Sequence, residues 1–336
     1  MSSPPAILVE GLRKSFGSVQ ALSGIDFQVA PGSVIGLLGP NGAGKTTAVR
    51  ILTTLLRPDG GRALVEGYDV VHQAAQVRRF IGLAGQATAI QIELTGRENL
   101  EIIGRLHHLP RDEVRRRTVR LLERFELMDA ADRPARTFSG GMQRRLDLAA
   151  TLIGEPTVLF LDEPTTGLDP RARNGTWEIV RELAAEGTTI LLTTQYMDEA
   201  DALAGGIIVI DHGRVIAEGT PDELKDRAGG DVLEFTVSDR TRSADALRAV
   251  AGLNGAEPSA DEASGRIRIN VGGQGSRAVV EAVRRLDAAG IETEGVSLRR
   301  PSLDDVFLAL TGHQAEHEER GPRRRGRTPQ QPPVEA

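Results

Sequence analysis

No cysteine occurs among the 336 residues, which removes disulfides, thiolate metal sites and cysteine nucleophiles and suits a reducing cytoplasm. A surplus of basic charge is missing too: 41 Lys and Arg stand against 47 Asp and Glu, for a net charge of −6. Sequence-independent binding to nucleic acid depends on neutralising phosphates with Lys and Arg, so no direct contact with DNA or RNA is expected. Long apolar runs are also lacking. The longest, Val34 to Leu38, Val158 to Leu161 and Ile207 to Ile210, fall far short of the roughly 18 to 20 residues that cross a bilayer. Met1-Ser2-Ser3-Pro4-Pro5 has neither the charged region nor the apolar core of a signal peptide. The expectation is a chain that serves any membrane process from the cytosolic side.

What is present is ordinary for a globular protein, with 40% apolar and 26% charged residues. The length suits one large and one small domain, because single cores stop growing efficiently below it. Short β-type runs at Ile7 to Val9, Ile25 to Val29 and Ala63 to Val65, broken by Gly and Pro, predict an antiparallel flank. The runs Val34 to Leu38, Val158 to Leu161, Thr189 to Leu192 and Ile207 to Ile210 are followed by helical patterns and read as buried parallel strands. Between them, from about 98 to 136, Leu100, Ile103, Leu106, Leu121, Leu122 and Phe125 recur at helical spacing. A helical insertion into an α/β domain accounts for this.

After Pro221 a charged helix ends in Ala228-Gly229-Gly230, which marks a linker. The remainder reads as strand (232–237), helix (244–251), a weak strand, strand (267–271), helix (277–289) and strand (291–298), a small βαββαβ module. From His313 the chain is polar, Pro-rich and Arg-rich and cannot bury enough surface to fold alone. Its cluster Arg320, Arg323, Arg324, Arg325 and Arg327 reads as a solvated run, with attraction to anionic lipid as the lesser reading.

Gly39-Pro40-Asn41-Gly42-Ala43-Gly44-Lys45-Thr46 fits GxxxxGK[ST] directly after an apolar strand, the context that identifies a phosphate-binding P-loop. The glycines allow backbone N–H groups to turn around phosphate oxygens, and the following helix adds its partial positive charge. Lys45 is expected at the β- and γ-phosphates, Thr46 on Mg²⁺, and Thr47 beside them on the same turn. The run Val158 to Leu161 ends in Asp162-Glu163. Two acids at a strand end are often just the entry to a solvated loop. Paired with the P-loop, Asp162 is expected to hold Mg²⁺ and Glu163 to orient and deprotonate the attacking water.

Phe138-Ser139-Gly140-Gly141-Met142-Gln143-Arg144-Arg145, about twenty residues before Asp162, resembles the signature motif of the ABC ATPases. Met142 stands where that family usually has Gln, and Phe138 where it has Leu. The resemblance implies that Ser139, Gly140 and Gly141 of one subunit contact the γ-phosphate held by the P-loop of another. It further implies that Phe16 stacks on adenine, that Gln86 senses Mg²⁺ and faces a membrane partner, and that Asp169, in Gly167-Leu168-Asp169, sits at the dimer interface. Taken alone, Phe16 would be a core residue, Gln86 a polar loop residue, and Asp169 a helix N-cap ahead of Pro170. Gln195, in Thr193-Thr194-Gln195-Tyr196, replaces the histidine that most ABC ATPases place against the γ-phosphate. An amide can donate a hydrogen bond there but has no proton that titrates near neutral pH.

The run 191–201 and Arg299-Arg300-Pro301-Ser302-Leu303-Asp304-Asp305-Val306-Phe307 resemble the daunorubicin/doxorubicin-resistance ATP-binding proteins, over about residues 6 to 312. The expected fold is thus a P-loop NTPase (ABC ATPase) α/β core with an antiparallel β subdomain and helical insertion, plus a small C-terminal α+β domain. The boundaries are 1–225 for the nucleotide-binding domain (insertion about 90–150), 226–230 for the linker, 231–312 for the accessory domain and 313–336 for a disordered tail. The implied function is ATP hydrolysis with Mg²⁺ by a homodimer at the cytoplasmic face of the membrane. That hydrolysis would power export of an amphiphilic compound through a separate permease, which makes most of the substrate contacts. A soluble ABC ATPase in assembly or repair and an ATP-gated regulatory module are the alternatives.

Overall fold

The computed structural model describes residues 4–85, 89–227, 230–253, 257–261, 264–272 and 275–311. The expected tail at 313–336 and the expected Mg²⁺ sensor Gln86 lie outside them. In chain order the elements are β1 (Ile7–Phe16), β2 (Val19–Val29), β3 (Val34–Leu38), α1 (Lys45–Leu52), β4 (Gly60–Val65), β5 (Tyr68–Asp69), α2 (Ala74–Phe80) and β6 (Ile81–Ala84). The helices α3 (Gly96–Leu106), α4 (Arg111–Arg124) and α5 (Gly140–Leu152) follow, then β7 (Val158–Asp162), α6 (Pro170–Ala185), β8 (Thr189–Thr194), α7 (Met197–Leu203), β9 (Gly206–Asp211), β10 (Arg214–Gly219) and α8 (Pro221–Arg227). The chain continues with β11 (Asp231–Val237), α9 (Ser243–Val250), β12 (Ser259–Asp261), β13 (Arg266–Gly272), α10 (Gly275–Ala288), β14 (Thr293–Arg299) and α11 (Leu303–Thr311).

Three sheets result. The first, β2-β1-β4-β5, is antiparallel throughout. The second runs β10-β9-β3-β8-β7-β6, parallel from β9 to β6 with β10 antiparallel at one edge. Every residue of β7 and β8 is buried, which is why Val158 to Leu161 and Ile190 to Leu192 are continuous apolar runs rather than alternations. Strands β3, β8 and β7 are adjacent and parallel, so their carboxyl ends open at one edge, where ligands of open α/β sheets bind. Helices α3, α4 and α5 pack together between β6 and β7 in sequence, with Leu100, Leu121, Leu122 and Phe125 in their shared core. Helix α3 starts at a capping box in which Thr95 accepts from the Glu98 amide and Glu98 accepts from the Thr95 amide.

The third sheet, β12-β13-β11-β14, is antiparallel. Together with α9 and α10 it realises the βαββαβ order, and the weak strand is β12, only three residues long. Its core is apolar, built from Leu233, Phe235, Val250, Ile267, Ile269 and Leu286 among others. Helix α11, beyond the last strand, turns back toward the large sheet. Leu303, Val306 and Phe307 share one cluster with Met197 and Ala200 of α7, Leu224 of α8 and Leu38 at the end of β3.

Candidate functional site

The chain leaves β3 at Leu38 and turns through Gly39 to Gly44 into α1. Two glycines there are required by close backbone approach. A Cβ on Gly39, at φ +155°, would lie 2.1 Å from the Ile210 carbonyl oxygen, and one on Gly44, at φ +110°, would lie 2.4 Å from that of Ala21. No side chain caps α1 at Gly44, so the amides of its first turn, carried by Lys45, Thr46 and Thr47, keep the anion-seeking character of a helix N-terminus. The buried Lys45 ammonium donates to the carbonyls of Gly39 at 2.7 Å and Pro40 at 3.0 Å. Burial lowers its pKa from the ordinary lysine value, and the charges of Glu163 and Asp162 oppose that shift.

Neighbouring strands deliver the acids to the same edge. Asp162 ends β7 opposite Thr193 of β8. Its Oδ1 accepts from Thr193 Oγ1 at 2.6 Å and from Thr46 Oγ1 at 3.2 Å. A hydroxyl and a carboxylate so placed are hard oxygen donors, which suit Mg²⁺ in company with phosphate oxygens. Among the described residues no cluster of three or more His, Cys, Asp or Glu forms a protein-only metal cage.

Glu163 follows with a left-handed backbone, φ +52°, a conformation that costs a non-glycine residue about 1 kcal/mol or more. Its amide donates to both the carbonyl and the hydroxyl oxygen of Thr193, each at 3.1 Å, and this fixes the turn that presents the carboxylate. Gln195, half-buried, leaves β8 one residue beyond Thr194, which pairs with Leu38 of β3. It therefore stands between the cradle and Glu163.

The signature residues gather elsewhere. Ser139 caps α5 by accepting from the Met142 amide at 3.3 Å, and Asp169 caps α6 by accepting from the Ala172 amide at 3.0 Å with Pro170 in the first turn. A Cβ on Gly141 would sit 3.0 Å from the Ala172 side chain, so glycine lets the two helix starts meet. Ser139, Gly141 and Asp169 line an open cleft of about 840 Å³ that no residue of the 39–47 cradle lines. Gly140, exposed, lies on the same turn. Phe16, at the end of β1, is 51% exposed with the Lys14 ammonium 5.6 Å from its ring centroid. Such exposure suits a stacking platform rather than a core residue.

Sequence reasoning did not single out Thr193, the second hydroxyl on Asp162, or Glu199 on α7. Glu199 is fully buried, and its Oε1 accepts from Trp177 Nε1 at 3.0 Å. Burial pushes its carboxyl above the usual range, with hydrogen bonds from Thr194 and Trp177 acting in the other direction. A lone Glu inside a helical stretch carries no signal of that burial; only the packing of α6 against α7 creates it.

Residues 22–166 match the family model described as ABC transporter. Over 314 residues the chain is 54% identical to the daunorubicin resistance ATP-binding protein DrrA2 of Streptomyces coeruleorubidus, covering 94% of this chain and 97% of that protein. Over 313 residues it is 50% identical to the daunorubicin/doxorubicin resistance ATP-binding protein DrrA of Streptomyces peucetius, covering 93% and 94%. A crystal structure of the ADP conformation of an ATP-binding cassette of an ABC transporter matches at 28% identity and a TM-score of 0.60, covering 66% of this chain and 93% of that one. The chain belongs to the ABC transporter family, as an ATP-binding subunit of the daunorubicin/doxorubicin-resistance type. It is an ATPase coupled to transport. Domains of this family bind nucleotide, and the subunits generally dimerise and work with a separate membrane permease. No helix among the described residues is long and apolar enough to cross a membrane.

Proposed function

We propose that two copies of this chain close around two ATP molecules and thereby drive a separate permease that exports an amphiphilic compound of the anthracycline kind. The observation that carries the reading is the convergence of Lys45, Thr46, Asp162, Glu163 and Gln195 on the carboxyl ends of three adjacent parallel strands. In this reading residues 1–225 form the nucleotide-binding domain, with the insertion at about 90–150. A linker at 226–230 leads to an accessory domain at 231–312, and the subunit works at the cytoplasmic face of the membrane.

The adenine stacks on Phe16, and the phosphates lie in the amide cradle of Gly39 to Thr47, with the Lys45 ammonium on the β- and γ-phosphates. Magnesium, held by Thr46, Asp162 and Gln86, would neutralise charge on those phosphates. Glu163 orients the attacking water and accepts its proton. The Gln195 amide donates to a γ-phosphate oxygen. Ser139, Gly140 and Gly141 of the other copy cover that phosphate, with Asp169 beside them. The separation of the signature cleft from the cradle of the same chain supports this two-copy arrangement. Once phosphate leaves, the contact weakens and the halves part.

The decisive experiment is phosphate release by the wild type and by Glu163→Gln, together with anthracycline accumulation in cells that carry the chain with and without a co-purifying permease. Glu163-dependent release with lowered accumulation supports the reading. Release without any effect on accumulation removes the cargo assignment. Gln195, in place of the family's histidine, favours one second reading, an ATP-gated regulatory module, which predicts ATP binding with no Glu163-dependent release.

A further inference from the structure

Arg144 lies on the second turn of α5, five residues after Ser139, and its side chain points inward with only 11% of it exposed. Its guanidinium holds three oxygens at once. Nε donates to the Pro164 carbonyl at 2.8 Å, while Nη1 donates to the Gly85 carbonyl and to Asp147 Oδ2, each at 3.1 Å. Asp147, one turn further along and 2% exposed, uses its other oxygen to accept from the Ala89 amide at 3.1 Å. Pro164 is the residue after Glu163, and Gly85 and Ala89 bracket residues 86–88.

Stability alone does not explain such a pair. Two buried charges lose their hydration, and apolar residues of similar volume hold a fold as well or better. Burial is the largest influence on both groups, lowering the guanidinium pKa and raising that of the carboxyl. The hydrogen bonds to Asp147 nevertheless come from a guanidinium and an amide, the donors that an ionised carboxylate accepts. What the pair supplies is geometry. A planar fork can grip several carbonyls in fixed directions, which an ammonium cannot. The grip falls on the carbonyl of Pro164, the residue after Glu163, and the left-handed backbone of Glu163 persists only where its surroundings over-determine it.

We propose that Arg144, braced by Asp147, is a positioning residue that holds Glu163 in its hydrolytic pose and ties that pose to the orientation of α5. The proposal rests on the reading of Glu163 as the base. Ser139 caps the same rigid helix about 7.5 Å away along its axis. Engagement of the Ser139 turn by a partner's nucleotide is therefore transmitted to Glu163 through one helix and one side chain.

The test uses the full chain with Arg144→Lys, which keeps the charge but not the fork, and Asp147→Asn, which weakens the brace. Binding of a fluorescent ATP analogue, KM and kcat for phosphate release, and the circular-dichroism melting curve are measured for each. Affinity and KM are expected to stay within about threefold of wild type, while kcat falls by about tenfold to a hundredfold, the cost of a small misplacement of a catalytic group. A folded variant whose kcat remains within about twofold of wild type, or one in which affinity and kcat fall together, overturns the proposal. Should a single variant fail to fold, the double variant Arg144→Met/Asp147→Leu, which removes both charges together, is judged by the same split. Glu163→Gln, run in parallel, separates the two levels of the argument. Full-speed release by Arg144→Lys beside a silent Glu163→Gln removes this inference alone, whereas undiminished release by Glu163→Gln removes the reading of the site itself.

Discussion

The six-stranded sheet and the four-stranded C-terminal sheet are built from similar apolar residues but handle polar groups in opposite ways. All the buried polar and charged residues among those described, Lys45, Asp147, Asp162, Thr193 and Glu199 included, lie at or before Glu199. The C-terminal sheet leaves its charges partly exposed and paired, as with Glu234, 17% exposed, between Arg266, Arg268 and Arg299 on strands β11, β13 and β14. Burying a polar group is costly unless it is paired. A fold that does so repeatedly at one sheet edge has a chemical reason there, and a fold that avoids it is chiefly a packing unit.

That contrast is broken most strongly at Glu163. Glu163→Gln is expected to lower phosphate release by roughly a hundredfold to ten-thousandfold, the usual worth of a general base, while ATP-analogue binding stays near wild type. Undiminished release would mean that the buried polar edge is not the reaction centre. Next in size is a matched pair of core truncations, Phe160→Ala in β7 and Phe235→Ala in β11, both fully buried. Each is expected to cost about 3–5 kcal/mol in denaturant unfolding. Per folded molecule, only Phe160→Ala is expected to slow turnover, because β7 carries Asp162; equal slowing by both would erase the distinction between the sheets.

A third prediction concerns pH. Burial raises the folded-state pKa of Glu199 above the ordinary glutamate value of 4.5, so the native state binds more protons than the unfolded chain above that pH. Its contribution to stability is fully present below about pH 4.5 and is lost as pH rises through the folded value. Glu199→Gln should therefore gain in melting temperature relative to wild type as pH rises from 5 to 8. A difference that stays flat over that range contradicts the assignment. The smallest effect is at Gln195. Gln195→His should introduce a histidine-like inflection into the pH–rate profile between about pH 5 and 8, and superimposable profiles would place residue 195 away from the phosphate.

Much of the site was legible because its chemistry is local in sequence. The cradle from Gly39 to Thr46, the Asp162-Glu163 strand end and the Ser139 turn each carry their geometry within a few residues. Distant partners were not legible. Arg144 meets the Gly85 carbonyl across 59 positions and Pro164 across 20, and nothing near Arg144 distinguishes it from Arg145, which instead pairs with Glu126. Four strands of the large sheet were read from apolar runs, but β6 and β10 were not: β6 has four residues that alternate between half-buried and buried, and β10 alternates between exposed and half-buried. Strand β12 has three residues and exists through its pairing with β13. The return of α11 onto α7 and α8 depends on tertiary docking of Phe307, for which sequence spacing offers no sign.

The absence of cysteine makes the central claim directly testable. Asn41→Cys at the exposed rim of the cradle itself and Thr137→Cys beside the signature turn, both at exposed positions, are introduced together into Glu163→Gln. The chain is then treated with a short bis-maleimide in the presence and absence of Mg-ATP, alone and with its permease. The account predicts a covalent dimer that forms only when Mg-ATP is present. Monomer under every condition, in a protein that binds the nucleotide, would contradict it.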